Sequence, residues 1–108
     1  MNSLFWKLGS ISAGSSVIIA AAGGHKPWEI DRKMVFNTAF ILHLSSSIGI
    51  LLCSMRNANV PGCLFLLGIG MFSFTSYYRC VNDNKQYNYL MPYGGSMIIL
   101  AWLTLALY

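Results

Sequence analysis

Charge is what this sequence has least of. Its 108 residues include seven Lys and Arg and three Asp and Glu, so 9% are charged and 56% are hydrophobic. An ordinary globular domain carries roughly 25% charged residues, and a domain this small is mostly surface. The composition therefore excludes a soluble domain and predicts a chain that meets lipid or protein on most sides.

Basic runs and paired cysteines are also missing. The seven cations form no run or stripe, which argues against a nucleic-acid role, and we expect them to meet lipid headgroups. The three cysteines, Cys53, Cys63 and Cys80, are odd in number, lack CxxC spacing and lie in or beside apolar runs. This pattern favours small buried hydrophobic residues over a disulfide framework.

Ionisable residues are nearly absent from the apolar stretches, which leaves few candidates for a proton relay. His43 is the clear case, and Ser47 lies one turn further on the same face. We interpret His43 as a neutral histidine bonded to a neighbouring helix, with a ligand or proton-transfer role as the alternative. His25 follows a glycine pair, but no HxxxH, HExxH or Cys/His cluster accompanies the two histidines. We predict no catalytic residue, metal site or cofactor, and His43 and His25 are weak candidates for cofactor binding.

Four apolar stretches cover about residues 4–24, 34–55, 60–78 and 89–108. Each is close to the ~20 residues that a helix needs to cross the hydrocarbon core of a bilayer. Only helices and closed barrels satisfy the backbone there, and strict apolar/polar alternation is absent. The sequence predicts an all-α membrane protein, with residues 1–108 forming one antiparallel bundle of four transmembrane helices with short loops. Residues 20–22 resemble a signal-peptidase site, but we interpret them as part of a retained helix.

Small residues predict where the helices pack. Gly9, Ala13, Ser16 and Ala20 recur at i, i+4, i+7 and i+11 on one face of the first helix, and such faces let transmembrane backbones approach closely. The serines of this helix have no histidine or acid at helical spacing that would activate a nucleophile. Further packing residues are Gly68, Gly94, Gly95 and Trp102. We expect Pro92 to open the fourth helix, and the glycine pair to meet the first helix or a partner protein.

Aromatic and basic residues near the helix ends predict the interfaces. Trp6, Trp28, Tyr77, Tyr78 and Tyr108 suit the headgroup level. The first and third breaks carry Lys26, Arg32, Lys33, Arg79 and Lys85, against Lys7 and Arg56 on the other side. This bias places both termini on the less positive side of the membrane.

Several sequence blocks together resemble a known family. An Ala/Gly-rich first helix closes on Gly24-His25, the second carries FNTAFILH with His43, and the third ends on Ser76-Tyr77-Tyr78. The fourth begins Pro92-x-Gly94-Gly95 and continues Leu100-Ala101-Trp102. This order, over about residues 8–107, resembles the transmembrane protein 256 family, also known as domain of unknown function 423.

The resemblance implies a small multi-pass membrane protein, mitochondrial in eukaryotes, with no catalytic activity established by membership. Relatives often have a second histidine three positions before the one that matches His43. That position is Phe40 here, which favours a structural His43. Our first hypothesis is a non-catalytic accessory subunit of an inner-membrane assembly, most plausibly a respiratory complex or supercomplex. Its partners would be other membrane subunits, the lipid bilayer and bound phospholipids. The alternative is a carrier for a lipophilic molecule such as quinone, haem or lipid that uses His43 and His25.

Overall fold

The computed structural model describes residues 3–82 and 88–108, and the regular secondary structure in this part of the chain is all helical, without strands. Helix α1 covers Ser3–Gly24, α2 covers Ile30–Arg56 and α3 covers Asn59–Asn82, and each is long and apolar enough to cross a membrane. Helix α4, Met91–Leu105, follows a single 3₁₀ turn, Asn88–Leu90. The prediction of an all-α membrane protein with four helices is confirmed.

The helices extend further into the polar breaks than hydropathy indicated. Helix α2 begins at Ile30 instead of near residue 34, so the polar residues at 31–33 form its first turn. Helix α3 continues to Asn82, four residues beyond the predicted end. A hydropathy window marks where a helix meets headgroups, whereas backbone hydrogen bonding continues until a capping residue ends it.

Asn57 closes the tight connection between α2 and α3. It adopts a left-handed conformation with φ 55°. Its N–H bonds to the Ser54 carbonyl at 3.4 Å, and the Ala58 N–H bonds to the Cys53 carbonyl at 2.9 Å. This pair of bonds is the Schellman arrangement, in which Asn is the usual substitute for Gly. The turn reverses the chain in two residues, so α2 and α3 pack as antiparallel neighbours.

Helix α3 contains a wider turn in its centre. The segment Ile69–Ser73 is π-helical, between α-helical segments Asn59–Gly68 and Phe74–Asn82. A π-turn inserts one extra residue and shifts the faces that follow it. After it, Ser76, Tyr77 and Cys80 are buried. The helical periodicity of the sequence does not predict this turn.

Helix α4 is shorter than the predicted span of residues 89–108. Its 15 residues extend about 22 Å, less than the ~30 Å hydrocarbon core. Pro92 lies in its first turn, as expected. At the other end, the Leu107 and Tyr108 N–H groups bond to the Thr104 and Leu105 carbonyls. These i−3 bonds form tighter turns that end the α-helix, and the Arg56 guanidinium donates to the Tyr108 carbonyl.

The helices form two buried apolar clusters, one towards each end of the bundle. Helix α1 packs mainly on α2, while α2 and α4 both pack on α3. The first cluster lies towards the α2–α3 turn and contains Phe5, Ile50, Cys53, Ala58, Phe65, Ile69, Ile98 and Ala101. The second lies towards the opposite end and contains Phe36, Ala39, Tyr77 and Cys80. The longest extent, 42 Å, matches the thickness of a bilayer with its headgroups, about 40–45 Å.

Candidate functional site

His43 lies between the two apolar clusters and is 1% exposed. Helix α2 places it there because Ala39, Ser47 and Ile50 follow the same inward face at helical spacing, and all three are fully buried. Burying a polar side chain at this depth costs free energy unless its hydrogen bonds are made within the protein.

Both ring nitrogens of His43 have partners on other helices. Nδ1 lies 3.0 Å from the Tyr77 hydroxyl of α3, and Nε2 lies 3.0 Å from Ser12 Oγ of α1. Ser12 Oγ is also 2.6 Å from Ser47 Oγ, which donates to the His43 carbonyl at 2.7 Å. One polar group therefore ties α1, α2 and α3 together.

The direction of the bonds among Ser47, Ser12 and Nε2 of His43 follows from the bond that Ser47 donates to the His43 carbonyl. Because Ser47 gives its proton to the His43 carbonyl, its oxygen must accept from the Ser12 hydroxyl. Ser12 then accepts from the Nε2–H of His43, and Nδ1 pairs with the Tyr77 hydroxyl. Both ring nitrogens of His43 are thus occupied within the protein. To bind a metal or take up a proton, it would have to exchange an internal bond.

Aromatic rings enclose the other sides of His43. The Phe74 ring meets it edge-on with centroids 5.8 Å apart, and the Tyr77 ring lies at the same centroid distance. Tyr77, which was predicted to lie at the headgroup level, is only 8% exposed. It lies near a helix end in the sequence, but α3 continues past it and its face points towards α2.

A cleft of ≈ 350 Å³ lies beside the polar group, between α1 and α3. Its walls are mainly apolar, with Ile11, Leu66 and Phe74 among them, and its polar atoms come from Ser12, Ser15 and His43. The cleft has the size of a small-molecule pocket.

His25 does not join this group. It is exposed and follows the last residue of α1, 13 residues beyond Ser12, which places it about 20 Å further along the helix axis. The structure therefore does not bring the two histidines together as a ligand pair. Within residues 3–82 and 88–108, no three His, Cys, Asp or Glu side chains come close enough to hold a metal ion.

The small face of α1 lies against α2. Gly9 and Ser16 are buried, and Ala13 and Ala20 are half-buried. A Cβ placed on Gly9 would lie 3.0 Å from the Leu51 side chain and 3.1 Å from the Ser47 carbonyl oxygen. The two helices approach closely at this crossing, which brings Ser12 within reach of His43.

The glycines of α3 and α4 meet each other. A Cβ on Gly94 would lie 2.5 Å from the Phe72 nitrogen, and a Cβ on Gly68 would lie 2.5 Å from Ile98 Cγ1. Gly95 is less confined, with Phe72 Cδ2 at 3.8 Å. The neighbour of α4 at this point is therefore α3, and the expectation of a contact with the first helix was wrong. Helices α3 and α4 pack at these glycines, whereas the small face of α1 is already occupied by α2.

The remaining aromatic residues lie mostly outward. Trp6, Tyr78 and Tyr108 are exposed, and Trp28 is half-buried, with its ring 5.2 Å from that of Phe36. The Trp102 ring packs edge-on against Phe65 at 4.9 Å and remains 39% exposed.

Cys53 and Cys80 are buried as expected, but Cys63 is exposed because Gly62 and Phe65 take the inward face of this turn.

Sequence reasoning identified His43 but missed Ser12 and Tyr77 as its partners. The serines of α1 were compared only with residues on their own helix, whereas the partner of Ser12 comes from α2. A signal was available, since Ser12 lies three residues after Gly9 and four before Ser16, within the small face that packs inward.

One comparison with known proteins identifies a family. The family model described as "Protein of unknown function (DUF423)" matches residues 19–95, which confirms the resemblance to domain of unknown function 423. The matched region is narrower than the predicted residues 8–107, so Trp102 and the first part of α1 lie outside it. No solved structure matches the chain.

Proposed function

Since the chain belongs to the DUF423 family, whose function is unknown, we propose that it is a non-catalytic accessory subunit of a larger inner-membrane assembly. The assembly we propose is a mitochondrial respiratory complex or supercomplex, in which the chain contributes helix packing and lipid-mediated contacts. Its partners would be other membrane subunits, the surrounding bilayer and bound phospholipids.

The observation that carries this proposal is the apolar outward surface of the bundle. Large hydrophobic side chains are exposed on all four helices, for example Ile18 (71%), Ile41 (58%), Leu67 (52%) and Ile99 (61%). Several hydroxyl side chains bond back to their own helix, as where Thr104 donates to the Leu100 carbonyl at 2.8 Å. Such a surface suits lipid tails and other transmembrane helices.

Helix α1 leaves more of its residues open to a partner than α2 does. Four of its 22 residues are buried, compared with nine of 27 in α2. Its outward face also carries Gly14, where a Cβ would meet nothing within 4 Å. A second membrane helix could approach this side without displacing any part of the bundle.

The proposed topology rests on the distribution of basic residues. Lys26, Arg32, Lys33 and Arg79 lie at one end of the bundle, and Lys7 and Arg56 lie at the other. Lys85 was counted with the first group but lies outside the described residues. We place both termini on the intermembrane-space side of the mitochondrial inner membrane.

The cleft beside His43 favours the second candidate, a carrier for a lipophilic molecule such as quinone, haem or lipid. Its apolar walls and the nearby hydroxyls of Ser12 and Ser15 suit an amphipathic ligand. However, the His43 nitrogens are engaged within the protein and His25 is remote. The accessory-subunit proposal accounts for the closed polar group better.

We expect the chain to migrate on a blue-native gel of digitonin-solubilised membranes at the mass of a respiratory complex. Mass spectrometry of that band should identify it together with the subunits of the complex. As a control, the same extract in a harsh detergent should release the chain as a species near its 12.0 kDa monomer mass. Migration as a free monomer in digitonin would contradict the proposal.

A further inference from the structure

A second cleft of ≈ 350 Å³ lies at the end of the bundle where α1 ends and α2 begins. Its apolar walls include Ile19 of α1, Phe36 of α2, and Tyr77 and Val81 of α3. Ala22 and Val81 are exposed, so the cleft opens sideways from the bundle between α1 and α3. In a membrane, this opening faces the lipid near the headgroup level.

A smaller, more polar cleft of ≈ 160 Å³ adjoins the apolar one. Both are lined by Gly23, Trp28 and Phe36. The polar cleft adds the side chains of Lys33 and Asn37, while Lys26 lines the apolar cleft. The two clefts thus share one wall, and each has one lysine in its lining.

Charge at this end of the bundle favours an anion. Besides the two lysines, the Arg32 guanidinium lies 5.3 Å from the centre of the Trp28 ring, which holds a third cation beside the shared wall. Of the nearby acids, Glu29 is exposed, and Asp31 lines a separate cleft together with Arg79. Within residues 3–82 and 88–108, Lys26 and Lys33 are the charged side chains that line the two adjoining clefts.

We propose that these two adjoining clefts together bind one anionic phospholipid. One acyl chain occupies the apolar cleft, and the phosphate lies at Lys26 and Lys33. A water-soluble anion would leave the apolar walls uncovered, and a zwitterionic lipid such as phosphatidylcholine would bring a choline cation to the lysines along with its phosphate. The site is separate from the polar group around His43, and it stands whether or not the chain assembles with other subunits.

Trp28 can report occupancy because it lines both clefts. In a Trp6→Phe, Trp102→Phe background it is the sole tryptophan of the chain. The full chain is reconstituted in phosphatidylcholine vesicles that contain a fraction of phosphatidylglycerol, with bromine on the chains of one lipid at a time. Quenching of Trp28 should show at least about a fivefold preference for phosphatidylglycerol, the gain expected from one lysine near the phosphate.

Two variants test the two halves of the site. Lys26→Gln with Lys33→Gln should bring the preference close to one, whereas Lys7→Gln at the opposite end should leave it unchanged. Ala22→Phe should fill the apolar cleft and reduce quenching by brominated phosphatidylglycerol, whereas Ala21→Phe, one residue away on the exposed surface of α1, should not.

Three results would overturn the proposal. The first is equal quenching by the two brominated lipids. The second is a preference for phosphatidylglycerol that remains after the double lysine substitution. The third is a preference that Ala22→Phe does not reduce, because electrostatic attraction to the surface alone requires no acyl chain in the cleft. A competition experiment on the chain without cleft substitutions avoids any doubt about folding. Excess unbrominated phosphatidylglycerol must relieve the quenching of Trp28 by brominated phosphatidylglycerol, and excess phosphatidylcholine must not.

Discussion

Gly94→Val is expected to separate α4 from α3 and to lower the free energy of unfolding by about 3 kcal/mol, at the upper end of the cost of overpacking. The reason is that a Cβ at this position would lie 2.5 Å from the Phe72 nitrogen and 2.9 Å from the Met71 carbonyl carbon. Backbone atoms cannot rotate away as a side chain can, so the whole helix must move. Equilibrium unfolding in mixed detergent–SDS micelles measures the effect.

Gly14→Val is the matched control for this substitution. Gly14 also lies within a helix, but a Cβ there meets nothing within 4 Å. We expect its unfolding curve to stay close to that of the unsubstituted chain. If both valine variants lose the same stability, the effect comes from the glycine-to-valine change itself, and the close α3–α4 crossing is not what holds α4.

Phe65→Ala should be the second severe substitution, with a loss of about 3 kcal/mol. Phe65 is fully buried, its ring lies over Gly49 of α2, and it meets the Trp102 ring of α4 edge-on at 4.9 Å. One side chain therefore connects three helices. Its removal leaves a cavity and loses those van der Waals contacts, and the same unfolding measurement applies.

Leu67→Ala, at a 52% exposed position on the same helix, serves as the control and should cost little. A paired substitution tests the contact itself. Gly49→Ala alone would place a Cβ 2.5 Å from the Phe65 ring, so a smaller side chain at position 65 should accommodate it. Phe65→Leu with Gly49→Ala should be more stable than the sum of the two single losses. Strict additivity would show that the two residues do not pack against each other.

Hydropathy predicted the helices well because every backbone polar group in lipid must be hydrogen-bonded within the protein, which leaves helices and closed barrels as the possible structures. The start of α2 and the end of α3 were misplaced for a related reason. Residues such as Asp31 and Arg79 are polar enough to end a hydropathy window but do not interrupt helical hydrogen bonding. Asn57 ends α2 through its backbone conformation, and a hydropathy average does not detect that.

The neighbours of each helix were harder to predict. Lipid is as apolar as a leucine side chain, so small residues show that a face packs closely but not against which helix. Gly94 was therefore expected to meet the first helix or a partner protein, although it packs against α3. The π-turn at Ile69–Ser73 also changes which residues of α3 point inward, and helical periodicity alone does not indicate it.

The candidate site could be predicted only in part, because the sequence does not show which helices pack together. His43 stands out in any sequence reading because it is ionisable within an apolar stretch. Its partners do not, because Ser12 and Tyr77 lie 31 and 34 residues away in the chain. Only the packing of three helices brings them together.

The most direct test of the central claim, that packing and not histidine chemistry is the contribution of this chain, is the His43→Leu variant expressed in cells that lack the natural protein. We expect a moderate loss of stability, since hydrogen bonds between membrane helices average about 0.6 kcal/mol each. The blue-native band and cell growth should match those of the unsubstituted chain. A His43→Leu chain that folds and assembles normally, yet leaves the cells like those without the protein, would contradict the account.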